Sequence, residues 1–373
     1  MIHKVLPRKH PIRCRITRAL LLLLSSPIAN AQLPAATIPD SKIFAVLSLV
    51  LVSALCATAQ THELKLTPGN VHWGNLDARV KPVLRVASGD TVRVETMLTA
   101  PERLRIAGAT DAEIPSAIKE VEKSRTDQGP VAAALTGPIY IEGAEPGDTL
   151  EVRILKFEFL HPFGWTGFTP TRGTLPDDFP YSRFKLVRFN PETGTAEFRP
   201  GITLKLAPFW GTIGVAPPVA MGPVPSGVPG PMGGNFDNKE LVAGSVLYLP
   251  VHVPGALLSM RDGHALQGDG EVSVSAVETS LRGTIQVFVR KGNHILWPRA
   301  ETPTHFISMG LHADLDEAAR IAVREMIDFL VFEKGMSRDE AYMLCSLAAD
   351  LHVTQLVDGT KGIHAMLPKS IFK

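Results

Sequence analysis

Alternation of apolar and polar residues is the dominant pattern of the chain from Leu64 to about Val289. The alternation has a period of two in segments such as TVRVET, TLEVRILKFEF, GSVLYLPVHV and EVSVSAVETS, and Gly, Pro or Asp separates neighbouring segments. Because alternate side chains of a strand point to opposite faces, this pattern predicts many short strands joined by turns. We therefore expect a mainly β protein whose body, residues 60–290, is a β-sandwich or is barrel-like.

The C-terminal part, residues 291–373, has a helical pattern instead. Asp314 precedes the first predicted helix as an N-cap and Gly335 ends it, while Ser337 and Glu340 form a capping-box pair that opens a second helix. The first helix carries one apolar stripe, formed by Leu315, Ala318, Ala319, Ala322, Met326, Phe329 and Leu330. These patterns predict a smaller C-terminal α+β part that forms one unit with the body.

Two segments of the body interrupt the strand pattern. Residues 101–128 are charged and contain the helix formers AIKEVEKSR, so they predict an inserted loop or a short helix. Residues 217–235 are rich in proline and glycine. This composition is typical of a disordered linker, but the segment leads directly into an alternating strand, so an ordered loop is the alternative.

The first 59 residues are predicted to be a leader. A basic stretch, KVLPRKHPIRCRITR, precedes two apolar runs, and the second run ends in the small residues Ala57-Thr58-Ala59. This is typical of a signal peptide cleaved after Ala59. The tandem runs indicate a start codon assigned too far upstream. An uncleaved membrane anchor and a lipid anchor on Cys56 are the alternatives. We expect an exported protein, periplasmic or extracellular, without a stable membrane span after cleavage.

The leader also accounts for the basic character of the chain. It holds seven of the 38 Lys and Arg residues and one of the 37 Asp and Glu residues, so the net charge falls from +1 to −5 without it. No basic run with interleaved aromatic residues follows, which argues against a nucleic-acid partner. Cys14 and Cys56 belong to the leader, so Cys345 alone remains and no internal disulfide is expected.

Several common catalytic motifs are missing from the sequence. It contains no Gly-x-Ser-x-Gly elbow, His-Glu-x-x-His helix, P-loop or Gly-x-Gly-x-x-Gly fingerprint. Cys345 lies between apolar residues of a predicted amphipathic helix, which favours a buried structural thiol over a nucleophile. The remaining candidates for chemistry are histidines and carboxylates in turns.

These candidates lie in four separate motifs. His72 is in VHWGNLD, Glu142 in GPIYIEGAEPGD and Asp237 in GGNFDNKEL, while the segment DGHALQGDGEV spans residues 262–272. His, Asp and Glu from distant loops are the ligands of many hydrolytic metal sites, where the ion lowers the pKa of water and polarises a carbonyl. His72 could equally be a strand-end histidine, and Asp237, Asp262 and Asp269 could be turn formers.

Three long motifs resemble the acetamidase/formamidase family. They are GPIYIEGAEPGDTLEV, GPMGGNFDNKELVAGSVLYLPVHVPGALLSMRDGHALQGDGEV and REMIDFLVFEKGMSRDEAYMLCSLAADLHVTQLVDGTKGIHAMLPK, and the likeness extends over residues 62–373. The resemblance implies a β-rich body with a smaller α+β part that completes the catalytic unit. It also implies hydrolysis of short linear amides to carboxylate and ammonia by a water molecule that a bound divalent metal, zinc or calcium, activates.

The resemblance further implies roles for individual residues. The expected metal ligands are His72, Asp237, His264 and Asp269. The expected catalytic residues are Glu142 for proton transfer, Gln267 for the oxyanion, and Glu271, which is also a possible ligand. Leu266 departs from the family pattern beside His264, where a small residue is expected.

The expected partners are a small-molecule amide substrate and further copies of the chain in a homo-oligomer. An exported, metal-stabilised β-protein that binds a small ligand without catalysis is the alternative function.

Overall fold

Short strands account for most of the regular structure. The computed structural model describes residues 59–125 and 133–373. Within these ranges the strands are β1 (Thr61–Leu64), β2 (Val71–Trp73), β3 (Asn75–Leu76), β4 (Leu84–Val86), β5 (Thr91–Glu95), β6 (Ala134–Ile141), β7 (Thr149–Phe159), β8 (Phe163–Phe168), β9 (Arg183–Asn190), β10 (Thr195–Arg199), β11 (Ile202–Lys205), β12 (Phe209–Gly214), β13 (Val224–Pro225), β14 (Gly233–Asn235), β15 (Val246–Pro250), β16 (Leu258–His264), β17 (Glu278–Thr279), β18 (Leu281–Arg290), β19 (Arg299–Glu301), β20 (His305–His312), β21 (Asp350–Gln355) and β22 (Lys361–Pro368).

Two large sheets contain nearly all of these strands. The first has the order β1-β5-β18-β7-β15-β19-β20-β22-β21. The second has the order β11-β10-β9-β8-β17-β16-β12-β14, and its strand β6 pairs with β16, β2 and β4, while β3 and β13 form a separate pair. One hydrophobic cluster draws Val152 and Val287 from the first sheet and Leu135, Ile213 and Met260 from the second. The sheets therefore pack face to face, and the predicted β-rich body is confirmed.

The described helices are α1 (Pro101–Ala107), α2 (Ser116–Lys123), α3 (Leu315–Lys334) and α4 (Arg338–Ala348). Helix α3 begins and ends where the sequence indicates, and α4 begins where the sequence indicates. The Asp314 side chain accepts a hydrogen bond from the Glu317 N–H, Gly335 adopts a left-handed conformation, and Ser337 and Glu340 form a complete capping box. A second cluster packs the apolar faces of both helices against β22, which confirms the C-terminal helical part.

The two interrupting segments are both ordered where they are described. The first segment forms the short helices α1 and α2, the helical alternative of the prediction, and Leu104 and Ile118 pack against Phe163 and Trp165 of β8. The segment 217–235 contributes β13 and β14 to pairings with β3 and β12, so the ordered alternative is the one observed. These contacts are relevant to function because both segments lie beside the cavity described below.

Residues Thr58–Lys373 form one compact unit. Residues 1–58 of the predicted leader lie outside the described residues, as do Cys14 and Cys56. None of the helices within the described ranges is long and apolar enough to cross a membrane. Cys345 is a buried free thiol, as predicted, and burial raises its pKa.

Candidate active site

His264, the last residue of β16, lies at the centre of a buried polar cluster. Its side chain is 1% exposed, and its Nδ1 lies 2.9 Å from the Gln267 Oε1. The Gln267 Nε2 donates to the Asp237 carbonyl oxygen at 2.7 Å, which fixes the amide orientation. Because an amide oxygen can only accept, Nδ1 of His264 carries a proton, and Nε2 is the ring nitrogen left to face other groups. The Gln267 side chain thus holds the imidazole of His264 in one orientation, and its expected role at the oxyanion stays a prediction.

Carboxylates surround the Nε2 atom of His264. Its distances are 3.3 Å to Glu278 Oε2, 3.8 Å to Asp262 Oδ2 and 3.9 Å to Asp237 Oδ1. Two groups of three side chains share His264, and within each group the potential ligand atoms lie within 4.8 Å of one another. The first group is Asp237, His264 and Glu271. The second group is Asp262, His264 and Glu278. We refer to these five residues as the central cluster.

Strand pairing explains how distant parts of the chain meet here. His264 of β16 is directly opposite Glu278 of β17 in the antiparallel register. On the other side of β16, strand β12 contributes Gly211, whose carbonyl accepts from the Asp237 N–H at 3.1 Å. A Cβ atom at position 211 would lie 2.3 Å from the Asp237 Oδ1 and 2.8 Å from the His264 Cε1. Only a glycine at this position leaves room for both side chains.

Three members of the central cluster have left-handed backbones. The φ angles are +51° at Asp237, +65° at Asp262 and +42° at Glu271. Non-glycine residues rarely adopt this region, and each such residue costs on the order of 1–3 kcal/mol. Three such residues in one buried cluster indicate that tertiary contacts hold these carboxylates in place against the conformational preference of their own backbones.

Burial and mutual repulsion shift the pKa values of the cluster. Burial, with Glu271 and Asp358 nearby, raises the pKa of Asp237 well above its usual range. Burial likewise raises the pKa of Glu271 and of Glu278, although His264 acts in the opposite direction on both. A cation placed among these groups would relieve the repulsion and stabilise their ionised forms.

The pKa values of Asp262 and His264 shift in the directions typical of an ion pair. Burial alone would raise the pKa of Asp262, but Arg261 and His264 outweigh it and hold this pKa below its ordinary value. Burial alone would lower the pKa of His264, but Glu278 and Asp262 raise it well above its ordinary value. The cluster thus contains an excess of negative charge for which one imidazolium compensates only in part.

Unsatisfied atoms identify the position that a cation would take. The Oδ1 of Asp237 and the Nε2 of His264 are both buried, and neither has a hydrogen-bond partner among the described residues. Such groups are costly unless an ion or another ligand satisfies them. Two carboxylates and one imidazole are suitable donors for a divalent metal. The residues present therefore fit a metal ion.

Hydrogen bonds from Asn235 hold the carboxylates of Asp237 and Asp358 in place. The Asn235 amide donates to the Oδ2 atoms of Asp237 and Asp358, the latter at 3.0 Å. The Arg261 Nη2 donates to the Asn235 Oδ1 at 2.9 Å, and the Thr212 hydroxyl donates to the same oxygen. This network explains how Asp237 stays fixed while its Oδ1 remains unpaired.

Asp262, Glu271 and Glu278 of the central cluster line a cavity of about 440 Å³, and His264 and Asp237 lie behind them, outside its lining. Its polar base includes Asp262, Glu271, Glu278 and Asp358, while Trp73, Met97, Leu98 and Trp165 are part of its apolar wall. This volume suits a small molecule. Leu266 is not part of the lining, because its side chain packs against a separate hydrophobic cluster around Val277. The departure of Leu266 from the family pattern therefore does not change the lining of this cavity.

Besides Gln267, three predicted site residues lie outside the central cluster. Glu142 is in a turn after β6 with half of its side chain exposed, and the Arg85 Nε donates to its Oε1 at 2.7 Å. His72 on β2 has its Nε2 2.9 Å from the Ser259 Oγ and lines a different cleft. Asp269 pairs with His352 and Lys239. The structure therefore does not bring Glu142, His72 or Asp269 together with His264.

Three acidic residues that line the cavity, Asp262, Glu278 and Asp358, are not predicted site residues. Asp262 precedes a glycine and Asp358 is part of VDGT, so both resemble simple turn formers. Glu278 lies in the alternating segment EVSVSAVETS, where a polar residue is ordinary. The one available signal was the position of Asp262 two residues from His264 on the same strand.

Comparisons with known proteins agree with this fold. The model of the Acetamidase/Formamidase family matches residues 69–223 and 226–373. The crystal structure of an acetamidase from Bacillus halodurans is 33% identical, with a TM-score of 0.72 over 83% of this chain and 98% of that one. A Thermoanaerobacter tengcongensis structure described as a predicted acetamidase/formamidase is 30% identical, with a TM-score of 0.73 over 84% of this chain and 97% of that one.

A sequence relative from Schizosaccharomyces pombe is 28% identical over 260 residues. This match covers 55% of the present chain and 61% of the length of that protein.

Proposed function

Because the chain belongs to the acetamidase/formamidase family, we propose that it hydrolyses the C–N bond of a short linear amide to a carboxylate and ammonia. The observation that carries this proposal is the unpaired, buried His264 Nε2 3.9 Å from the unpaired Asp237 Oδ1, next to Glu271 and Glu278, which line a cavity. The acetamidase name of the Bacillus halodurans structure supports the substrate class.

Asp237, His264 and Glu271 are the proposed ligands of a divalent metal. His264 has one free ring nitrogen, since Gln267 occupies the other, so it can serve only one of the two sets that share it. The set with Asp237 is favoured because the Oδ1 of Asp237 has no other partner in the described structure. A divalent ion bound there would polarise the amide carbonyl and lower the pKa of a water molecule.

Glu278 is the proposed proton carrier in place of Glu142. Its Oε2 lies 3.3 Å from the His264 Nε2, its Oε1 accepts from the Ala276 N–H at 3.1 Å, and it lines the cavity. Burial raises its pKa, which suits a group that accepts a proton near neutral pH. Glu278 takes the proton of the attacking water and transfers it to the amide nitrogen as the C–N bond breaks, so that neutral ammonia leaves.

Asp262 is proposed to remain ionised through the cycle. Arg261 and His264 favour its charged form against the effect of burial. An ionised carboxylate in the cavity lining can accept a hydrogen bond from the NH₂ group of the substrate. The apolar wall beside Trp73 and Trp165 would then hold the acyl group away from water.

Ammonia release from formamide and acetamide tests this function. We expect activity in the metal-loaded protein and its loss with a strong chelator. Glu278→Gln should reduce kcat by about 10²–10⁴-fold, the usual contribution of general acid–base catalysis. Glu142→Gln is the matched control, because it alters an exposed carboxylate of the same type, and it should retain wild-type kcat and KM.

Two outcomes would contradict the proposal at different levels. Wild-type kcat in Glu278→Gln would remove the proton-transfer role while leaving amide hydrolysis intact. Absence of ammonia release from every linear amide tested, with retained binding of an amide, would favour the binding protein that forms the alternative function.

Export remains a separate proposal that concerns the leader alone. Its support is the basic stretch followed by an apolar run that ends in Ala57-Thr58-Ala59. The intact mass of the protein recovered outside the cytoplasm should correspond to a chain that begins at Gln60. A chain that retains the second apolar run would indicate the membrane anchor.

A further inference from the structure

Two histidines face each other on the C-terminal hairpin, apart from the central cluster. His352 of β21 is directly opposite His364 of β22, and their rings stack with centroids 5.1 Å apart at an angle of 13°. His364 is fully buried, at 0% exposure. Its Nδ1 is 2.8 Å from the Thr354 Oγ1, and its Nε2 has no hydrogen-bond partner in the described part of the chain.

Asp269 approaches this pair from the segment that carries the central cluster. Its Oδ2 lies 3.1 Å from the His352 Nδ1, and Asp269, His352 and His364 offer potential ligand atoms within 4.8 Å of one another. Thr354 occupies one ring nitrogen of His364, so the buried Nε2 is the atom left for a ligand. Asp269 and His352 have side chains 30% and 35% exposed, so an ion from solvent can reach them.

We propose that Asp269, His352 and His364 form a second divalent-metal site, distinct from the central cluster and selective for zinc-like ions. Two imidazoles and one carboxylate are a donor set that suits zinc rather than calcium or magnesium, which prefer oxygen. Metal–ligand bonds of about 2.0–2.1 Å place the ligands of a tetrahedral ion about 3.4 Å apart. The observed 3.1 Å between Asp269 and His352 is close to this spacing.

Lys239 supplies a positive charge to Asp269 and competes with the metal. Its Nζ lies 3.0 Å from the same Oδ2 atom, and its side chain is 33% exposed. A metal ion that binds Asp269 would displace this ammonium into solvent. Removal of Lys239 should therefore strengthen metal binding.

The position of this site indicates a structural role. The Gly270 N–H donates to the Thr354 carbonyl and the Leu356 N–H donates to the Gly270 carbonyl, both at 3.1 Å. These bonds already connect the segment beside Glu271 to the C-terminal hairpin. A metal at Asp269, His352 and His364 would join the same two segments and restrict the backbone next to Glu271.

Titration of the chelator-stripped protein with Zn²⁺ against a chromophoric chelator tests this site. His352→Gln and Asp269→Asn should each bind one equivalent fewer than the wild type. Lys239→Met should bind the same number of equivalents, with affinity at this site higher by up to about fivefold, the range of an exposed ion pair. His294→Gln is the control, because it removes an exposed histidine outside the group and should not change the titration.

The stoichiometry separates this inference from the proposed catalytic metal. If the central cluster binds no metal, the wild type binds one equivalent and His352→Gln binds none. If both sites bind metal, the wild type binds two equivalents and His352→Gln binds one. Equal stoichiometry in the wild type, His352→Gln and Asp269→Asn, with all three folded by circular dichroism, would overturn the second site. Unchanged affinity in Lys239→Met would overturn the assigned competition.

Discussion

Gly211 lies so close to Asp237 that any Cβ atom at this position would be 2.3 Å from the Asp237 Oδ1. The substitution Gly211→Ala must therefore move Asp237, the neighbouring imidazole of His264, or both. Since these two side chains are proposed metal ligands, we expect at least a tenfold loss of kcat/KM in the amide assay and weaker binding of the catalytic metal. Steady-state ammonia release and metal titration are the measurements.

Gly268→Ala is the matched control for this substitution. Gly268 lies on the same segment as Gln267, but a Cβ atom there has nothing within 4 Å. Its kinetics should equal those of the wild type. Wild-type kinetics in Gly211→Ala as well would show that the active centre does not depend on the geometry of Asp237 and His264.

The fold followed from local patterns because the signals for strands and helices are local. Alternation predicted the strands, and the capping residues Asp314, Gly335, Ser337 and Glu340 predicted both ends of α3 and the start of α4. The segment 217–235 was ambiguous for a physical reason: its proline and glycine content fits both a linker and a closely packed loop. Pairing of β14 with β12, which the composition does not encode, decides between them.

The site was predictable only in part because convergence depends on sheet register. The GGNFD and DGHALQ motifs identified Asp237, His264 and Gln267, which the structure brings together. Glu278 faces His264 only because β17 is adjacent to β16, and neither strand indicates this pairing. Asp269 and Glu271 are two residues apart, yet they belong to different groups of potential ligands.

The contact between Gln267 and His264 leads to a second prediction. Gln267→Leu removes the acceptor for the Nδ1–H of His264, so the imidazole can change tautomer and lose its orientation. We expect about 10–100-fold weaker binding of the catalytic metal, the usual effect of losing such a partner. A chelator-competition titration measures this loss. Gln267→Glu keeps an oxygen acceptor and should bind metal more tightly than Gln267→Leu, and equal affinities in the two variants would argue against tautomer control.

His72 leads to a prediction about acid stability rather than catalysis. Burial lowers its pKa from 6.5 to about 4, although Asn75 and Asp77 act in the opposite direction. The folded protein therefore binds this proton less readily than the unfolded chain, so the stabilisation is complete above pH 6.5 and is lost as the pH falls toward 4. Between pH 7 and pH 5 this loss amounts to about 2 kcal/mol.

Urea unfolding at pH 7 and at pH 5 tests this prediction. The free energy of unfolding should fall between the two pH values by about 2 kcal/mol more in the wild type than in His72→Gln. His294→Gln, which replaces an exposed histidine, should follow the wild-type pH dependence. The same decrease in the wild type and in His72→Gln would mean that burial does not lower the pKa of His72 in the folded protein.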